Sequence, residues 1–312
     1  MTGYVTTCDG IVYALPALFA WELRYTGGEP CDSFSVRCPY EAAMAEILRR
    51  VSRFRAEENG DTAFCGVVDE CAAVCDEKGL WLEIEGRGMA ALLMDNEAEA
   101  ATYQHASVEE LLRRHVTPYG ITCTAYDNTS TSVEYQVKSG SSEWKALSDF
   151  TRLCGGFTPY FERNGVLLVT KELKFPRMVI DGEIPVTALT YRDKRYGVLS
   201  EAVVINKSTR AKQIIKNADF YSRGGQRRQF FYTPAKSGAQ AMRYTGEYQI
   251  ERSKENTETL EVRIADKYDA KPGTIVTVNG SVLGVTGNFR VRETVRRFGE
   301  SGETTELTMQ RE

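Results

Sequence analysis

Residues 62–88 decide the fold, and their sequence is TAFCGVVDECAAVCDEKGLWLEIEGRG. In the second half of this stretch Leu80, Leu82 and Ile84 alternate with charged or aromatic side chains. A period of two places the first set on one face of a β-strand. A turn near Glu77-Lys78-Gly79 separates this strand from the one before it. The stretch therefore predicts an antiparallel hairpin with one buried face.

The residues that precede this hairpin predict more strands and one helix. The apolar run 11–21 contains Pro16 and follows no basic segment, so we interpret it as a buried pair of strands and not as a signal peptide. Residues 41–57 have helix-forming composition and spacing, which predicts a helix ended by Asn59-Gly60, and 88–95 predicts a short helix. Turns are predicted at Asp9-Gly10, Gly27-Gly28 and Pro30.

The middle of the chain alternates helices with strands. Ser107 and Glu110 form a capping box that predicts a helix stopped by Pro118 and Gly120. Asn164-Gly165 predicts a hairpin with a type I′ turn. The further predicted elements are a strand at 132–138 and a helix over about 142–154, ended by Gly155-Gly156. This pattern indicates a compact α+β unit.

The final third is almost entirely β in character. Frequent turns between many short strands predict a barrel or a sandwich. The predicted strands are 186–192, 199–206, 213–217, 228–233, 245–251, 258–266, 274–278, 282–285, 288–297 and 304–310.

The net charge of −4 conceals a strong asymmetry along the chain. Residues 1–100 carry 8 Lys and Arg against 18 Asp and Glu, a net charge of −10. Residues 101–190 are nearly neutral at −1, whereas residues 191–312 carry 22 against 15, a net charge of +7. Such an uneven distribution of charge gives information about binding partners but not about the fold.

Several functional classes lack their sequence signals. No run of about 18 apolar residues predicts a membrane span. Eight cysteines without a C-x-x-C pair, and two histidines, offer no zinc-ligand spacing, so we expect no metal and no cofactor. We interpret the cysteines as small buried side chains in a reducing compartment. Catalytic motifs are missing, and His115 suits the end of a helix, so we predict no enzyme.

The basic segment 192–236 holds 11 Lys and Arg with aromatic residues between them. Its loop 223–228, RGGQRR, resembles a nucleic-acid-binding loop. One alternative is therefore a nucleic-acid-binding β protein. The other is a basic loop that docks on an acidic protein surface, such as the first third of this chain. A basic loop alone carries no readout motif, so we expect no stable nucleic-acid binding.

An ordered set of short strings resembles the baseplate hub proteins of contractile phage tails and phage-tail-like particles, a family that includes the late control protein D group. The resemblance covers about residues 30–310 and is weakest over 208–260. The strings are 64–70 FCGVVDE, 80–88 LWLEIEGRG, 91–95 ALLMD, 103–112 YQHASVEELL, 116–121 VTPYGI, 269–278 DAKPGTIVTV and 287–291 GNFRV.

The resemblance implies a mainly β (α+β) protein with two tube-type β-barrel domains flanking a smaller α+β docking domain. The expected domains are 1–100 with one inserted helix, 101–185, and 186–312 with a basic loop. Such subunits form a homotrimer whose pseudo-sixfold ring joins the hexameric tail tube to the trimeric spike, with baseplate wedge proteins outside. We expect assembly in the bacterial cytoplasm, as part of a phage tail or tail-like particle. A tail-associated cell-wall hydrolase remains a further alternative.

Within such a ring, the charge asymmetry suggests how subunits meet. The acidic third of one subunit would abut the basic third of the next, where opposite charges fix the register and favour closure. A rival use of the acidic residues is to line the channel. The predicted subunit-interface residues are Arg192, Arg195, Arg227, Arg228, Asp69 and Glu70. The role of the loop 208–240 stays open.

Overall fold

The computed structural model describes residues 1–26, 31–77, 79–131, 134–233, 238–255, 257–280 and 283–312. These residues form 21 strands and six α-helices, which confirms the mainly β class. Several predicted features lie wholly or partly outside the described residues. They are the turns at Gly27-Gly28 and Pro30, Lys78 in the hairpin turn, part of the strands 132–138 and 282–285, and residues 234–236 of the basic segment.

The first third is a set of antiparallel strands with two very short helices. The predicted hairpin is confirmed, and Leu82 and Ile84 on its inner face are fully buried, whereas Leu80 at its outer end is exposed. The elements are β1 (Thr2–Thr7), β2 (Val12–Ala14), β3 (Ala20–Thr26), β4 (Ser33–Pro39), α1 (Ala45–Leu48), β5 (Val51–Glu58), β6 (Asp61–Asp76), β7 (Gly79–Gly88) and α2 (Ala91–Met94).

The prediction of a helix over 41–57 is wrong. Only a 3₁₀ turn at Ala42–Met44 and the four-residue α1 are helical, and the chain then enters β5. Strand β5 lies between β1 and β6, and this pairing outweighs the helix-forming composition of the segment. Asn59-Gly60 is accordingly the turn of the β5–β6 hairpin, with φ of 53° and 89°. Positive φ at both residues matches a type I′ turn.

The apolar run 11–21 forms strands, as predicted, but they are not both buried. Strand β2 pairs with β1 alone and ends the sheet. Ile11 and Val12 are about half exposed there, whereas Trp21 at the start of β3 is buried.

The middle of the chain combines helices with short strands, and we call residues 101–169 the α+β unit. Ser107 accepts a hydrogen bond from the Glu110 amide, which confirms the predicted cap. The hairpin at Asn164-Gly165 forms, but only Gly165 has a positive φ, so the predicted type I′ turn is wrong. The elements are β8 (Ala101–Tyr103), α3 (Val108–His115), β9 (Cys123–Tyr126), β10 (Tyr135–Val137), α4 (Glu143–Gly155), β11 (Tyr160–Phe161) and β12 (Leu167–Val169).

The last third contains most of the predicted strands and two helices. The elements are β13 (Arg177–Ile180), β14 (Val186–Asp193), β15 (Glu201–Asn206), β16 (Lys212–Lys216), α5 (Ala218–Ser222), β17 (Arg228–Thr233), α6 (Ala239–Lys254), β18 (Glu258–Ile264), β19 (Ile275–Val278), β20 (Gly287–Gly299) and β21 (Gly302–Arg311). The described part of the predicted strand 282–285 forms no strand.

The predicted strand 245–251 is instead part of α6. Met242, Gly246 and Ile250 lie four residues apart, on one face of the helix, and Met242 and Ile250 are buried. A Cβ atom at Gly246 would come within 2.7 Å of the Ile215 side chain, so glycine lets α6 lie close to β16. The contact with β16 follows the helical period of these three residues, so the prediction of a strand is wrong.

One 13-stranded sheet unites the two ends of the chain. Its main order is β14-β18-β21-β20-β3-β4-β7-β6-β5-β1-β2, and β19 joins it at β20 and carries β13. Strands β3 and β20 pair from Trp21 with Phe298 to Thr26 with Glu293. Strand pairing therefore does not separate two barrels, and the two-barrel arrangement is not confirmed.

Between β14 and β18 the chain forms an inserted unit with its own sheet. This sheet has the order β16-β15-β17, and α6 packs on one side of it. We call residues 194–257 the inserted unit. It contains most of the basic segment that the sequence singles out.

Arg163 lies where the three thirds of the chain meet. Its guanidinium lies 4.3 Å from the centre of the Tyr25 ring on β3. The same group forms an ion pair with Asp269 of the last third. Because Arg163 belongs to the β11–β12 hairpin, it connects the middle third of the chain to both the first and the last third.

The eight cysteines are all free thiols, and only Cys38 is fully buried. Cys8 and Cys75 are exposed, because one lies in a turn and the other near the end of the β6–β7 hairpin. The interpretation of the cysteines as buried side chains is wrong for these two. Burial raises the pKa of the Cys31 thiol to about 12 and that of the Cys38 thiol to about 11.

Candidate functional site

Opposite charges line the junction between β3 of the first third and β20 of the last. Arg297 pairs with Glu22 at 2.7 Å, and Arg24 pairs with Glu293 at 3.4 Å. Each pair joins neighbouring strands of the sheet. Cross-strand pairs of opposite sign stabilise a sheet, although exposed pairs contribute little each.

A further group of ion pairs at this junction is centred on a buried arginine. Arg296 on β20 is 1% exposed, and its guanidinium binds Glu58 on β5 and Glu303 on β21 and lies 5.3 Å from the Trp21 ring centre. Burial opposes the charge on Arg296, but hydrogen bonds to the two carboxylates outweigh it and raise the pKa of the guanidinium. Lys267 adds a second cation to Glu58 at 2.8 Å.

These contacts satisfy part of the charge complementarity within one chain. The sequence predicts that the acidic and basic thirds meet between subunits, yet Glu22 and Glu58 already meet arginines of their own chain. The excess positive charge lies elsewhere. The inserted unit holds 13 Lys and Arg against five Asp and Glu, whereas the rest of the last third, from residue 258, is nearly neutral.

The four predicted interface arginines all lie in or next to the inserted unit. Arg192 on β14 pairs with Glu261 at 3.0 Å, and Arg195 pairs with Asp193 at 3.5 Å. Arg228 on β17 pairs with Glu201 at 2.8 Å. The fourth, Arg227, lies over the ring of Tyr196.

Arg227 lies 5.5 Å from the ring centre of Tyr196, whose side chain is 81% exposed. Arg195 also lines an open groove of about 540 Å³ between the inserted unit and the end of the 13-stranded sheet. Both signs of charge line this groove, including Arg223 and Glu258.

The two predicted acidic residues lie on β6, away from these arginines. Asp69 accepts hydrogen bonds from Arg87, which also holds Asp95. Glu70 lies directly opposite Glu85 in the β6–β7 ladder, and both are exposed. In the described part of the chain, the predicted basic and acidic interface residues form no ion pair with each other.

A histidine in the α+β unit forms a buried network that resembles a catalytic arrangement. His115 on α3 bonds to Glu143 on α4, and the Tyr103 hydroxyl lies 2.9 Å from its other ring nitrogen. Tyr119 donates to Glu143 at 3.0 Å. His115 is 4% exposed, so substrates cannot reach it, and the network connects α3 to α4.

Among the described residues, no three His, Cys, Asp or Glu side chains come together as metal ligands would. No described helix is long and apolar enough to cross a membrane.

Sequence reasoning missed the buried group around Arg296. Its members are far apart in the chain, since 238 residues separate Arg296 from Glu58. The alternation of β20 suggested only that some of its side chains face a core. Long-range strand order decides which carboxylates an inward arginine meets.

Solved structures with the same fold come from phage tails. The 43 kDa tail protein of prophage MuSo2 from Shewanella oneidensis has a TM-score of 0.80 at 14% identity, covering 100% of this chain and 98% of that one. The fold is that of a phage tail protein. A tail protein from Neisseria meningitidis MC58 has a TM-score of 0.76 at 16% identity, covering 100% and 96%.

A third similar structure belongs to a secretion system. It is an E. coli component of the type VI secretion system that is itself structurally similar to the T4 bacteriophage tail proteins gp27 and gp5. Its TM-score is 0.56 at 12% identity, with 95% of this chain and 73% of that one covered. No protein-family model and no curated protein matches the sequence. At these identities the similarity shows the fold.

Proposed function

We propose that this chain is a structural baseplate hub of a contractile injection apparatus. In this role it forms a trimeric ring that joins the hexameric tail tube to the trimeric spike, with wedge proteins outside. The observation that carries the proposal is the fold, which follows two phage tail proteins over the whole of this chain and nearly the whole of theirs. The proposed domains are 1–100, 101–185 and 186–312.

The charged junction supports a structural role. A hub transmits force between a tube and a spike, so its own halves must not separate. The buried Arg296–Glu58 pair and the continuous sheet across β3 and β20 hold the first and last thirds together. A buried pair of this kind also favours one relative arrangement of the two parts over others, which is our hypothesis for its role here.

A cell-wall hydrolase is the weaker alternative. A general acid or base must come within hydrogen-bond distance of its substrate. His115 and Glu143 instead bond to each other and to tyrosines inside the α+β unit. Zymography on purified peptidoglycan tests this alternative, and we expect no hydrolysis. Lysis that is lost in His115→Gln without loss of folding would contradict the structural role.

Co-assembly tests the hub proposal directly. The purified chain is mixed with the tail tube protein and the spike protein from the same particle, and the complexes are separated by size-exclusion chromatography. We expect the chain to elute with both partners in one complex. If it elutes alone from each partner and from their mixture, the hub proposal fails.

A further inference from the structure

The sheet of the inserted unit has a helix on one face only. The helix α6 packs against Ala202 and Ile215. Residues that pair in register on neighbouring strands share a face, and the next residue along a strand lies on the other face. Ile214 on β16 and Phe230 on β17 both pair with Val203, so they lie on the face away from α6. We call it the outer face.

The outer face exposes aromatic rings. Ile214, Phe230 and Tyr232 are 49%, 50% and 56% exposed, whereas Val203 between the first two is fully buried. The exposed surface is therefore formed by side chains of the two outer strands, β16 and β17. Phe230 and Tyr232 lie two residues apart, so both side chains are on this face. Aromatic rings placed in this way on a sheet are platforms on which successive unpaired bases stack.

Cations lie at the ends of the same face. Lys212 and Lys216 are at the two ends of β16, and Arg228 is at one end of β17. All three are exposed. Glu201, on the middle strand of this face, is held by Arg228 at 2.8 Å. The ammonium of Lys216 lies 5.7 Å from the ring centre of Tyr221, which is itself 58% exposed. The outer face therefore combines aromatic rings with positive charge.

The positive charge of the inserted unit belongs to the part that forms this sheet. Residues 194–236 carry 10 Lys and Arg against two Asp and Glu, a net charge of +8. Residues 237–257, which include α6, carry three against three and are neutral. A partner of the outer face should therefore carry negative charge.

Single-stranded nucleic acid has both properties that the outer face requires. Its phosphates pair with Lys and Arg, and its unpaired bases stack on aromatic rings. Protein interfaces, in contrast, are depleted in lysine, and two lysines lie on this face. A duplex keeps its bases stacked on one another, so it meets the cations but not the rings.

The apolar middle of the outer face favours DNA over RNA. A 2′-hydroxyl is both a donor and an acceptor of hydrogen bonds. Ile214, Val203 and Ile205 provide no polar side chain for it, whereas apolar side chains suit the methyl group of thymine. The sequence predicts no stable nucleic-acid binding, because a basic loop alone has no means of contacting bases. The outer face adds that means.

We propose that the outer face of the inserted sheet binds single-stranded DNA. Bases stack on Phe230 and Tyr232, and Lys212, Lys216 and Arg228 bind the phosphates. Three strands span about 10 Å, which leaves room for about two or three nucleotides. This site lies beyond the proposed hub function and does not depend on it.

Removal of the rings tests the stacking. The full-length chain is titrated into a fluorescein-labelled oligothymidine of about 12 nucleotides, and binding is measured by fluorescence anisotropy. The test variant is Phe230→Ser/Tyr232→Ser. The matched control is Tyr244→Ser/Tyr248→Ser, which removes two tyrosines of α6 that are each 59% exposed. Circular dichroism verifies that each variant is folded.

Removal of the cations tests the phosphate contacts. Lys212→Gln/Lys216→Gln is compared with Arg243→Gln/Arg252→Gln, which removes the same charge from exposed positions of α6. The affinity of each chain is measured over a series of salt concentrations, because the slope of its logarithm against that of salt reports the number of phosphates bound.

We expect wild type to bind the single strand more tightly than a duplex of the same length. Loss of the two rings should raise the dissociation constant about tenfold or more, while the tyrosine control stays within about twofold of wild type. The lysine variant should lower the magnitude of the salt slope by about 1.4, as expected for two phosphate contacts, and its control should leave the slope unchanged.

Four outcomes overturn the inference. One is the absence of binding at low salt. A ring variant that binds like wild type, or a duplex that binds equally well, shows a contact of charge alone. Tighter binding of an oligouridine of the same length contradicts the choice of DNA. If no oligonucleotide binds but Phe230→Ser/Tyr232→Ser no longer elutes with the tail tube or spike protein, the face is a protein interface. Co-assembly of the wild-type chain uses no nucleic acid and decides the hub proposal separately.

Discussion

The guanidinium of Arg296 on β20 reaches both carboxylate oxygens of Glu58 on β5, at 3.1 Å each. The pair connects the first third of the chain to the last, inside the structure. Burial of the Glu58 carboxylate opposes its charge, but hydrogen bonds from Arg296 and Lys267 outweigh this and lower its pKa. The folded protein therefore holds the ionised form of Glu58 more firmly than the unfolded chain does.

Removal of the buried cation should strongly destabilise the protein. In Arg296→Met the carboxylates of Glu58 and Glu303 lose their hydrogen bonds from the buried guanidinium. Lys267 still pairs with Glu58, so we expect the free energy of unfolding to fall by about 2–3 kcal/mol. Urea denaturation measures it. The control is Arg192→Met, which breaks the exposed pair with Glu261 and should cost less than about 1 kcal/mol. Equal losses in the two variants would contradict the account of this junction.

The Asp32 carboxyl should make stability depend on pH in the opposite direction to an ordinary ion pair. Burial raises its pKa to about 6, although the Thr26 amide donates to it at 2.7 Å. Because the folded state holds the proton more tightly than the unfolded state, this group adds stability as pH falls from about 6 to about 4, and it costs stability at neutral pH.

Asp32→Asn removes this cost and keeps an oxygen to accept the Thr26 amide. We expect the variant to be more stable than wild type by about 1–2 kcal/mol near neutral pH, less than the full shift implies because Asp32 keeps some exposure. The gain should disappear below about pH 4, where the wild-type group is protonated in both states. Thermal denaturation over a pH series measures this, and a gain that is independent of pH would refute the assignment.

Gly86 should not tolerate a side chain. A Cβ atom there would lie 2.0 Å from the Val67 carbonyl oxygen and 2.7 Å from the Phe34 ring. Gly86→Ala must therefore push β6 and β7 apart, and we expect a loss of about 3 kcal/mol or more, visible as low soluble yield or a lower urea midpoint. Gly182 has open space around it, so Gly182→Ala should change stability by less than about 1 kcal/mol.

The thiols should react in an order that follows exposure. Cys8 and Cys75 are exposed, whereas burial raises the pKa of the Cys38 and Cys71 thiols to about 11. The thiolate is the reactive form, so a higher pKa slows alkylation at neutral pH. We expect peptide mapping after brief alkylation to find label at Cys8 and Cys75 first. Label at Cys38 at an equal rate in folded protein would show that its strand opens readily.

The sequence correctly predicted those elements whose local residue pattern agrees with their tertiary contacts. The β6–β7 hairpin has a clear period of two, and α3 has a side-chain cap, so both were predicted correctly. Residues 51–58 combine helix-forming composition with a place between two strands, which no local pattern reveals. The segment 245–251 was predicted as a strand, but within α6 Gly246 and its neighbours follow the helical period.

The candidate site, like the fold, could be predicted from the sequence only in part. The basic segment was visible from composition, and the structure places it in a separate inserted unit with an exposed aromatic face. The partners of Arg296 were not visible, because they depend on which strands become neighbours. The expectation that the acidic third of one subunit abuts the basic third of the next did not foresee that β3 and β20 pair within one chain.

The mass of the assembled complex tests the central claim most directly. Native mass spectrometry of the chain with the spike protein and the tail tube protein gives the number of copies in the complex. The account predicts three copies of this chain for each spike trimer. A chain that remains a monomer with both partners present would contradict it.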